Sequence, residues 1–360
     1  DVRRQLHGPF KGTAQDDFIE AITGASDGGE GEPNGLSELV PLLHANAQGD
    51  HESLVGPLDL EQSGDDAHFV ALVVQDRTVE HFVGCVELFV DAHGVFLSQR
   101  RFPKLCLVTP TYPIGGALSL KAPGQPLLKV PVNDEGPTKT CRIWSDSVIA
   151  VDQGDEAAKW ISDYLKTPGL RLMRFPDKAF RRVDMKYAKR TCETAFSDGF
   201  PILLANDASL ADLNARLAQN NSSPIPMDRF RPNLVVSGAE AWSEDEWGSM
   251  TSDSLELNVV KPCSRCKIPT IDQATGRTGA PSGNDDEGGG PGQAEPNKTL
   301  KEIRSGTALA AIDPFFAQPK RKNDVFFGQN LVHFAPGAEV AVGDRFACAA
   351  KGTESSCVVS

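Results

Sequence analysis

The sequence lacks any long apolar run, and no stretch approaches the roughly 18–20 consecutive apolar residues that a membrane-spanning helix needs. It also lacks an excess of basic charge: 36 Lys and Arg stand against 49 Asp and Glu, a net charge of −13. Nucleic-acid binding, which requires a basic surface, is therefore not expected. Cysteine is sparse for a disulfide scaffold, with eight in 360 residues, so we expect reduced thiols and a cytoplasmic protein.

Short strand-like runs separated by Pro, Gly and Asp dominate the chain from Gly94 onward. These runs are 107–110, 117–121, 127–132, 147–151, 233–236, 255–260, 267–271, 331–334 and 345–349. The spacing of apolar residues predicts helices over 155–166 and 209–217, the second beginning with a capping box of Ser209 and Asp212. The pattern predicts a mixed α/β, strand-rich fold, with a β-barrel and flanking helices.

Changes in composition divide the chain into four predicted parts. Residues 1–65 form a divergent N-terminal region, and residues 66–170 form a β subdomain that is part of a barrel. Residues 171–350 form the main barrel, with a flexible insertion at 276–298 that is rich in Gly, Pro, Asp and Glu. Residues 351–360 form a C-terminal tail.

The most distinctive local feature is Cys263-Ser264-Arg265-Cys266, set between two strand-like runs. Such a pair can supply half of a tetrahedral zinc site, although no second pair of Cys or His ligands is evident in the sequence. It can form a dithiol redox pair, although those pairs begin a helix and a strand is expected here over 267–271. It can also provide one thiolate for a soft metal, or be purely structural. The motif alone leaves all four interpretations open.

Two further segments carry polar groups at unusual places. Arg231 and Asn233 enter an apolar strand together, where polar side chains are costly unless they have partners. Ser197, Asp198 and Gly199 precede another apolar run, and their hydroxyl, carboxylate and backbone amides could hold an anion or a heterocycle. Each segment alone is also compatible with an ordinary turn.

Four motifs follow one another in the chain: FSDGFPILLANDASLADLNARL, RFRPNLVVSG, EDEW and CSRCKIPTIDQATG. In this order they resemble the MOSC family, which is named for the C-terminal part of molybdenum cofactor sulfurases, and within it the amidoxime-reducing component branch. The similarity runs from about Gly94 to Cys348 and so covers most of the chain. It implies a MOSC β-barrel with flanking helices, preceded by a partial N-terminal MOSC β-barrel subdomain.

The resemblance implies a molybdenum–molybdopterin cofactor (Moco) whose metal is bound by Cys266, which is then also the catalytic residue; Cys263 is not an expected ligand. The implied cofactor-binding residues are Ser197, Asp198, Gly199, Arg231, Asn233, Ser264, Arg265, Asn330 and, near the substrate mouth, Arg100. One departure concerns the Lys-Ser pair and the DRxW segment with which the family holds the cofactor's phosphate. Residues 1–90 show neither, and Gly84-Cys85-Val86-Glu87-Leu88 stands where DRxW is expected.

The activity that the resemblance implies is the two-electron reduction of N-hydroxylated compounds such as amidoximes and hydroxylamines, with nitrite as a further candidate substrate. Electrons would come from cytochrome b5 and its NADH-dependent flavin reductase, because the sequence shows no flavin, haem or iron–sulfur motif of its own. A basic cluster in segment 171–190 is predicted to dock this acidic donor: Arg171, Arg174, Lys178, Arg181, Arg182, Lys186, Lys189 and Arg190. We expect a monomer.

Two alternative functions remain at this stage. One is a non-catalytic carrier of the molybdenum cofactor or a sulfurase-like module, although no pyridoxal-phosphate domain, as sulfurases have, precedes the motifs in this sequence. The other is a structural module that holds zinc through the Cys-x-x-Cys pair. The alternative location is a membrane surface, reached through an N-terminal anchor missing from this sequence or through lipidation of Cys357 in the C-terminal Cys-Val-Val-Ser.

Overall fold

The structure is a computed structural model that describes residues 68–73, 86–111, 117–176, 178–188, 190, 192–278, 295–310, 315–316, 318–334 and 340–352. Several predictions lie outside these residues. They concern the N-terminal region 1–65, Cys85, most of the insertion 276–298, and most of the C-terminal tail with Cys357.

Strands dominate the described part of the chain, as the sequence predicts. In order they are β1 (His68–Val73), β2 (Glu87–Val90), β3 (Thr109–Thr111), β4 (Ala117–Lys121), β5 (Leu128–Pro131), β6 (Thr138–Ile143), β7 (Asp146–Asp152), β8 (Arg171–Arg174), β9 (Ile202–Asn206), β10 (Leu234–Ser237), β11 (Trp247–Thr251), β12 (Glu256–Arg265), β13 (Val325–His333) and β14 (Arg345–Ala350). The helices are α1 (Asp155–Leu165), α2 (Asp207–Gln219), α3 (Glu295–Arg304) and α4 (Gly306–Leu309). No helix within the described ranges is long and apolar enough to cross a membrane.

Seven of the described strands close a barrel in the order β1-β10-β9-β13-β12-β11-β14. Neighbouring strands are antiparallel except β9 and β10, which are parallel and are connected by α2. One side of each strand packs into the barrel, where Leu204, Leu257 and Leu331 are fully buried. Because β9 and β12 both pair with β13, they lie about 10 Å apart. The start of β9 lies level with the middle of β12, because Ile202 and Leu203 pair with the same β13 residues, Leu331 and Asn330, as Val259 and Lys261 do.

Two smaller sheets lie between β1 and the other barrel strands in the sequence. One has the order β2-β8-β7-β6 and the other β3-β4-β5, and all their pairings are antiparallel. Helix α1 buries Ala157, Trp160 and Ile161 against apolar residues of β4, β5 and β8. The strand-rich mixed α/β fold, with a barrel and few helices, is therefore confirmed.

The structure departs from the predicted subdomain limits at both ends. The predicted subdomain begins at residue 66, yet β1 pairs with β10 and β14 and so belongs to the closed barrel. It ends at residue 170, yet β8 completes the four-stranded sheet by pairing with β2 and β7. Both departures have one reason: strands distant in sequence pair in space, and local composition carries no information about these pairings.

Two local predictions are corrected. Segment 267–271 was expected to be a strand but forms a 3-10 turn, Ile268–Thr270, because Pro269 has no N–H for a sheet and the Lys267 carbonyl accepts from the Thr270 N–H and hydroxyl. Helix α2 begins at Asp207, and the Asn206 side chain caps it by accepting from the Ala208 N–H. Ser209 is not a cap; it lies inside the helix and donates to Glu244.

Candidate functional site

The cysteine segment, residues 263–266, spans the end of β12 and the residue that follows it. Both cysteines are half-buried free thiols. The register between β12 and β13 shifts at this point, so that Cys263 lies opposite a bulge that contains Gly328. Asn297 of α3 donates its side-chain Nδ2 to the Cys266 carbonyl at 3.0 Å. The segment is therefore held between a barrel strand and a helix.

Arg265 joins the cysteine segment to the turn that contains Phe230. Its Nη1 lies 3.0 Å from Cys263 Sγ, and its Nη2 donates to the Phe230 carbonyl at 2.7 Å. The Phe230 ring is fully buried and stacks on Phe327 of β13 with 3.7 Å between ring centroids. Two of the motifs are thus in direct contact through residues that lie 35 positions apart in the sequence.

Arg231 and Asn233, the predicted cofactor-binding pair, differ in their surroundings. Arg231 is exposed and has a positive φ of 54°, a conformation that few side chains adopt without cost. Asn233 is buried, accepts from the Leu203 N–H at 2.8 Å and donates its own N–H to the Leu203 carbonyl at 2.8 Å. Asn233 therefore extends the pairing of β9 and β10, a structural role that its sequence position did not reveal.

The loop 270–276 connects the barrel to the N-terminal sheets. The Asp272 carboxylate accepts a hydrogen bond from Arg229 Nη2 at 2.9 Å, and the Asp272 backbone carbonyl lies 3.7 Å from the Cys106 thiol. Gln273 donates to Gln99 at 3.1 Å, next to the predicted residue Arg100. Burial, followed by the charge of Asp272, raises the pKa of Cys106 to about 11, so this thiol stays protonated at neutral pH.

The 197–199 turn is held by side chains from outside the barrel. Arg181 is buried and donates to the backbone carbonyls of Ala195, Ser197 and Asp198. Trp144 Nε1 donates to Asp198 Oδ1 at 2.9 Å. The guanidinium of Arg100 stacks over the Trp144 ring at 4.1 Å, so the structure brings Arg100 and Asp198 together through Trp144.

Trp144 is a site residue that the sequence analysis missed. It lies in the turn between β6 and β7 with a positive φ of 54°, where a hairpin would usually have Gly or Asn. A bulky residue in this conformation costs about 1–3 kcal/mol and persists only where other contacts compensate. The sequence carries no turn signal that could have identified it, because Trp144 stands where a short hairpin turn usually has Gly or Asn.

Ser264 and Asn330 make weaker cases as site residues. Ser264 is exposed and pairs with Phe326 in the strand ladder. Asn330 donates its side-chain Nδ2 to the Lys261 carbonyl at 3.1 Å, within the sheet. Glu87, in the segment that stands where DRxW is expected, forms an ion pair at 2.5 Å with the buried Arg174. These contacts stabilise strands and do not by themselves indicate a ligand.

The predicted basic docking cluster is corrected for three of its members. Arg171 pairs with Asp152 and Asp155, Arg174 with Glu87 and Asp134, and Arg181 with Asp146 and the 197–199 turn. The pattern of basic residues did not distinguish these paired side chains from exposed ones, since their partners come from other strands. Among the described members, the exposed ones are Lys178, Arg182, Lys186 and Arg190.

The donor set around Cys266 fits a thiolate-bound molybdenum–pterin group. Two buried polar atoms near the cysteine segment, Arg265 Nε and Asn297 Oδ1, have no hydrogen-bond partner among the described residues. A closed zinc site needs three or four protein ligands, and the residues described here gather no group of three or more His, Cys, Asp or Glu side chains. A pterin dithiolene brings its own sulfur ligands, so one protein thiolate is sufficient for molybdenum.

Comparison of the sequence with known protein families and proteins identifies the class of protein to which this barrel and its cysteine segment belong. The model of the MOSC domain matches residues 192–347, and the model of the MOSC N-terminal beta barrel domain matches residues 87–168. Human mitochondrial amidoxime-reducing component 1 is 31% identical over 266 residues, which cover 71% of this chain and 70% of that protein. The chain belongs to the MOSC family, and the resemblance inferred from its motifs is confirmed.

Other relatives match shorter regions. Rat mitochondrial amidoxime reducing component 2 is 36% identical over 196 residues, 52% of this chain and 56% of that protein. Molybdenum cofactor sulfurase 2 of Culex quinquefasciatus is 36% identical over 208 residues, 54% of this chain and 27% of that protein. The chain thus spans little more than half the length of relatives such as the rat protein.

Proposed function

We propose that this protein binds a molybdenum–molybdopterin cofactor through Cys266 and reduces N-hydroxylated compounds. One observation carries the proposal: the segment 230–233 contacts both β9, into which the 197–199 turn leads, and Arg265 beside Cys266. The 197–199 turn leads into β9, and the Leu203 N–H of β9 donates to the Asn233 side chain. Three residues before Asn233, the Phe230 carbonyl accepts from Arg265, which lies beside Cys266 in the sequence. The names of the human and rat relatives support the reductase activity.

The chain's own residues would bind and orient the cofactor. Cys266 would bind the metal, and Arg265 would fix the cysteine segment by holding Cys263 and the Phe230 carbonyl. The 197–199 turn and the exposed Arg231 would contact the pterin, with Asn233 keeping β9 and β10 in register. When bound, the molybdenum group supplies two-electron chemistry that the protein side chains cannot perform.

The overall reaction consumes two electrons and two protons, breaks an N–O bond, and releases the reduced nitrogen compound and water. Amidoximes and hydroxylamines are the proposed substrates of this reaction. Nitrite is a further proposed substrate, and it would take one electron and two protons to give nitric oxide and water. The electrons would come from cytochrome b5 and its NADH-dependent flavin reductase. The exposed cations Lys178, Arg182, Lys186 and Arg190 offer such an acidic donor a complementary surface.

Reduction of benzamidoxime to benzamidine tests the proposal. The protein would be purified from a cofactor-competent host and supplied with a small chemical reductant, so that no protein partner is needed. We expect wild type to turn over, Cys266→Ser to be inactive, and Cys348→Ser, which removes another half-buried thiol, to stay active. Molybdenum-loaded wild type that does not reduce any N-hydroxylated compound would contradict the proposed activity.

The alternative function is a non-catalytic carrier or sulfurase-like module. The match to a relative named molybdenum cofactor sulfurase favours it. A carrier would hold molybdenum through Cys266, show no turnover, and transfer the cofactor to an acceptor apo-enzyme. Measuring this transfer beside benzamidoxime reduction distinguishes the two functions.

A further inference from the structure

The backbone of the 197–199 turn is held in one orientation, because the guanidinium of Arg181 donates hydrogen bonds to its carbonyl groups. Arg181 Nη2 donates to the Asp198 carbonyl at 2.9 Å, and Nη1 donates to the carbonyls of Ser197 and Ala195. The third guanidinium nitrogen, Nε, donates to Asp146 Oδ2 at 2.8 Å. Asp146 begins β7, so Arg181 connects the turn to the N-terminal sheet.

The carbonyl orientation determines where the amide hydrogens point. In a trans peptide the C=O and N–H of one unit point in opposite directions. The Ser197 and Asp198 carbonyls face Arg181, so the N–H groups of Asp198 and Gly199 face away from it. In the part of the chain that the structure describes, neither N–H has an acceptor, and a Cβ placed on Gly199 would meet no atom within 4 Å. Two adjacent amide donors facing open space suit an acceptor atom of a ligand.

The Asp198 carboxylate is oriented from the same sheet. Trp144 donates its indole N–H to Asp198 Oδ1 at 2.9 Å, while the Phe96 ring packs against the indole with 4.9 Å between centroids. Arg100 covers the indole at 4.1 Å. These contacts hold Trp144 in its left-handed conformation and fix the direction of the Asp198 side chain.

We infer that Arg181 and Trp144 are positioning residues: Arg181 presents the N–H groups of Asp198 and Gly199 as paired donors to the bound pterin, and Trp144 fixes the Asp198 carboxylate beside them. The inference rests on the proposed function, since the pterin is the ligand it names. In this role both residues act through the 197–199 turn.

Arg181→Lys tests the larger part of this inference, because lysine keeps the charge but cannot reach several carbonyls at once. Arg174→Lys is the matched control: Arg174 is equally buried, and its ion-pair partners, Glu87 and Asp134, lie in the N-terminal part of the chain rather than in the 197–199 turn. Holoprotein would be assayed for the rate of pterin release, by fluorescence of the oxidised pterin, and for its molybdenum(V) resonance spectrum.

We expect Arg181→Lys to release the pterin about 10- to 100-fold faster and to change the spectrum, the size of effect that outer-shell contacts show. Arg174→Lys should keep wild-type release and spectrum even where its melting temperature falls. Equal rates of pterin release from wild type and Arg181→Lys would overturn the positioning role and leave the proposed function intact. Equally accelerated release from Arg181→Lys and Arg174→Lys would also overturn it, because general destabilisation would then explain the effect. Wild type that never holds the pterin would overturn the proposed function and this inference together.

Trp144→Phe tests the role of Trp144 in orienting the Asp198 carboxylate, since it removes the indole N–H and keeps an aromatic ring for Arg100. Its control is Trp160→Phe, because Trp160 also donates its indole N–H, to the Pro126 carbonyl at 2.7 Å, away from the turn. We expect severalfold faster pterin release for Trp144→Phe only. No difference between the two variants would contradict the role of Trp144.

Discussion

The two halves of the candidate site are held in different ways. The cysteine segment depends on groups from the barrel and its α3 helix, through Arg265 to the Phe230 carbonyl and Asn297 to the Cys266 carbonyl. The 197–199 turn depends on the N-terminal sheet, through Trp144 and through Asp146 by way of Arg181. On the proposed function, the N-terminal sheets would contribute to cofactor binding as well as to folding, because they hold the 197–199 turn.

The largest effect should come from a change beside the cysteine segment. Gly328 has a φ of +76°, and a Cβ placed there would lie 2.4 Å from the Leu204 carbonyl oxygen. We expect Gly328→Ala to lower the free energy of unfolding by roughly 3 kcal/mol, from backbone strain and overlap. In the 197–199 turn, the Cβ that Gly199→Ala adds would meet no atom within 4 Å, so this variant should change the free energy of unfolding by less than about 0.5 kcal/mol. Urea unfolding of both variants checks this, and similar losses would contradict the contrast.

A second change breaks the contact within the cysteine half alone. Arg265→Met removes the donor to the Phe230 carbonyl, which lies in a turn packed around a fully buried ring. We expect a loss of about 2 kcal/mol in unfolding free energy, the range for a hydrogen bond to a charged group. Amide hydrogen exchange should rise around residues 230 and 263 and stay unchanged around 197–199. Equal exchange changes in both halves would show that they are not held independently.

The barrel that supports the cysteine half also contains a buried carboxylate. Burial, and then the charge of Asp245, raise the pKa of Glu244 above its ordinary value. A folded-state pKa above the unfolded one means that Glu244 favours folding at pH values below about 4.3 and that this contribution is lost as the pH rises to the raised pKa. In Glu244→Gln the amide oxygen can accept from Asn206 and the amide N–H can donate to the Ser209 hydroxyl, and the side chain has no charge to bury.

We therefore expect Glu244→Gln to stabilise the protein at pH 7 by about 1 kcal/mol, with the gain shrinking toward pH 4. Urea unfolding across this pH range measures it. A gain that is constant with pH, or a loss at pH 7, would contradict the raised pKa.

The smallest effect on stability should come from the exposed neighbour of Arg181. Arg182→Glu should change the unfolding free energy by less than about 0.5 kcal/mol, because the side chain lies in solvent. It should slow turnover driven by cytochrome b5 severalfold at low salt and leave turnover with a chemical reductant unchanged. A wild-type rate with cytochrome b5 would remove Arg182 from the docking surface.

The strands were predictable where alternation and turn residues agree, and β4 begins and ends at the predicted residues, Ala117 and Lys121. The cysteine segment was equally visible, because its chemistry is local in sequence. The 197–199 turn was found, but its supports were not. Arg181 was assigned to a basic surface because its partners, Asp146 and three carbonyls, lie 14 to 35 residues away. Trp144 carried no expected turn signal, since its conformation depends on tertiary contacts with Phe96, Arg100 and Asp198.

The most direct test of the account is elemental analysis of the protein from a cofactor-competent host. We predict molybdenum near one atom per chain in wild type, nearly complete loss in Cys266→Ser, and retention of most of the metal in Cys263→Ser, because a single thiolate is needed. Zinc in place of molybdenum, lost equally from both cysteine variants, would contradict the assignment of Cys266 as the ligand of a molybdenum cofactor.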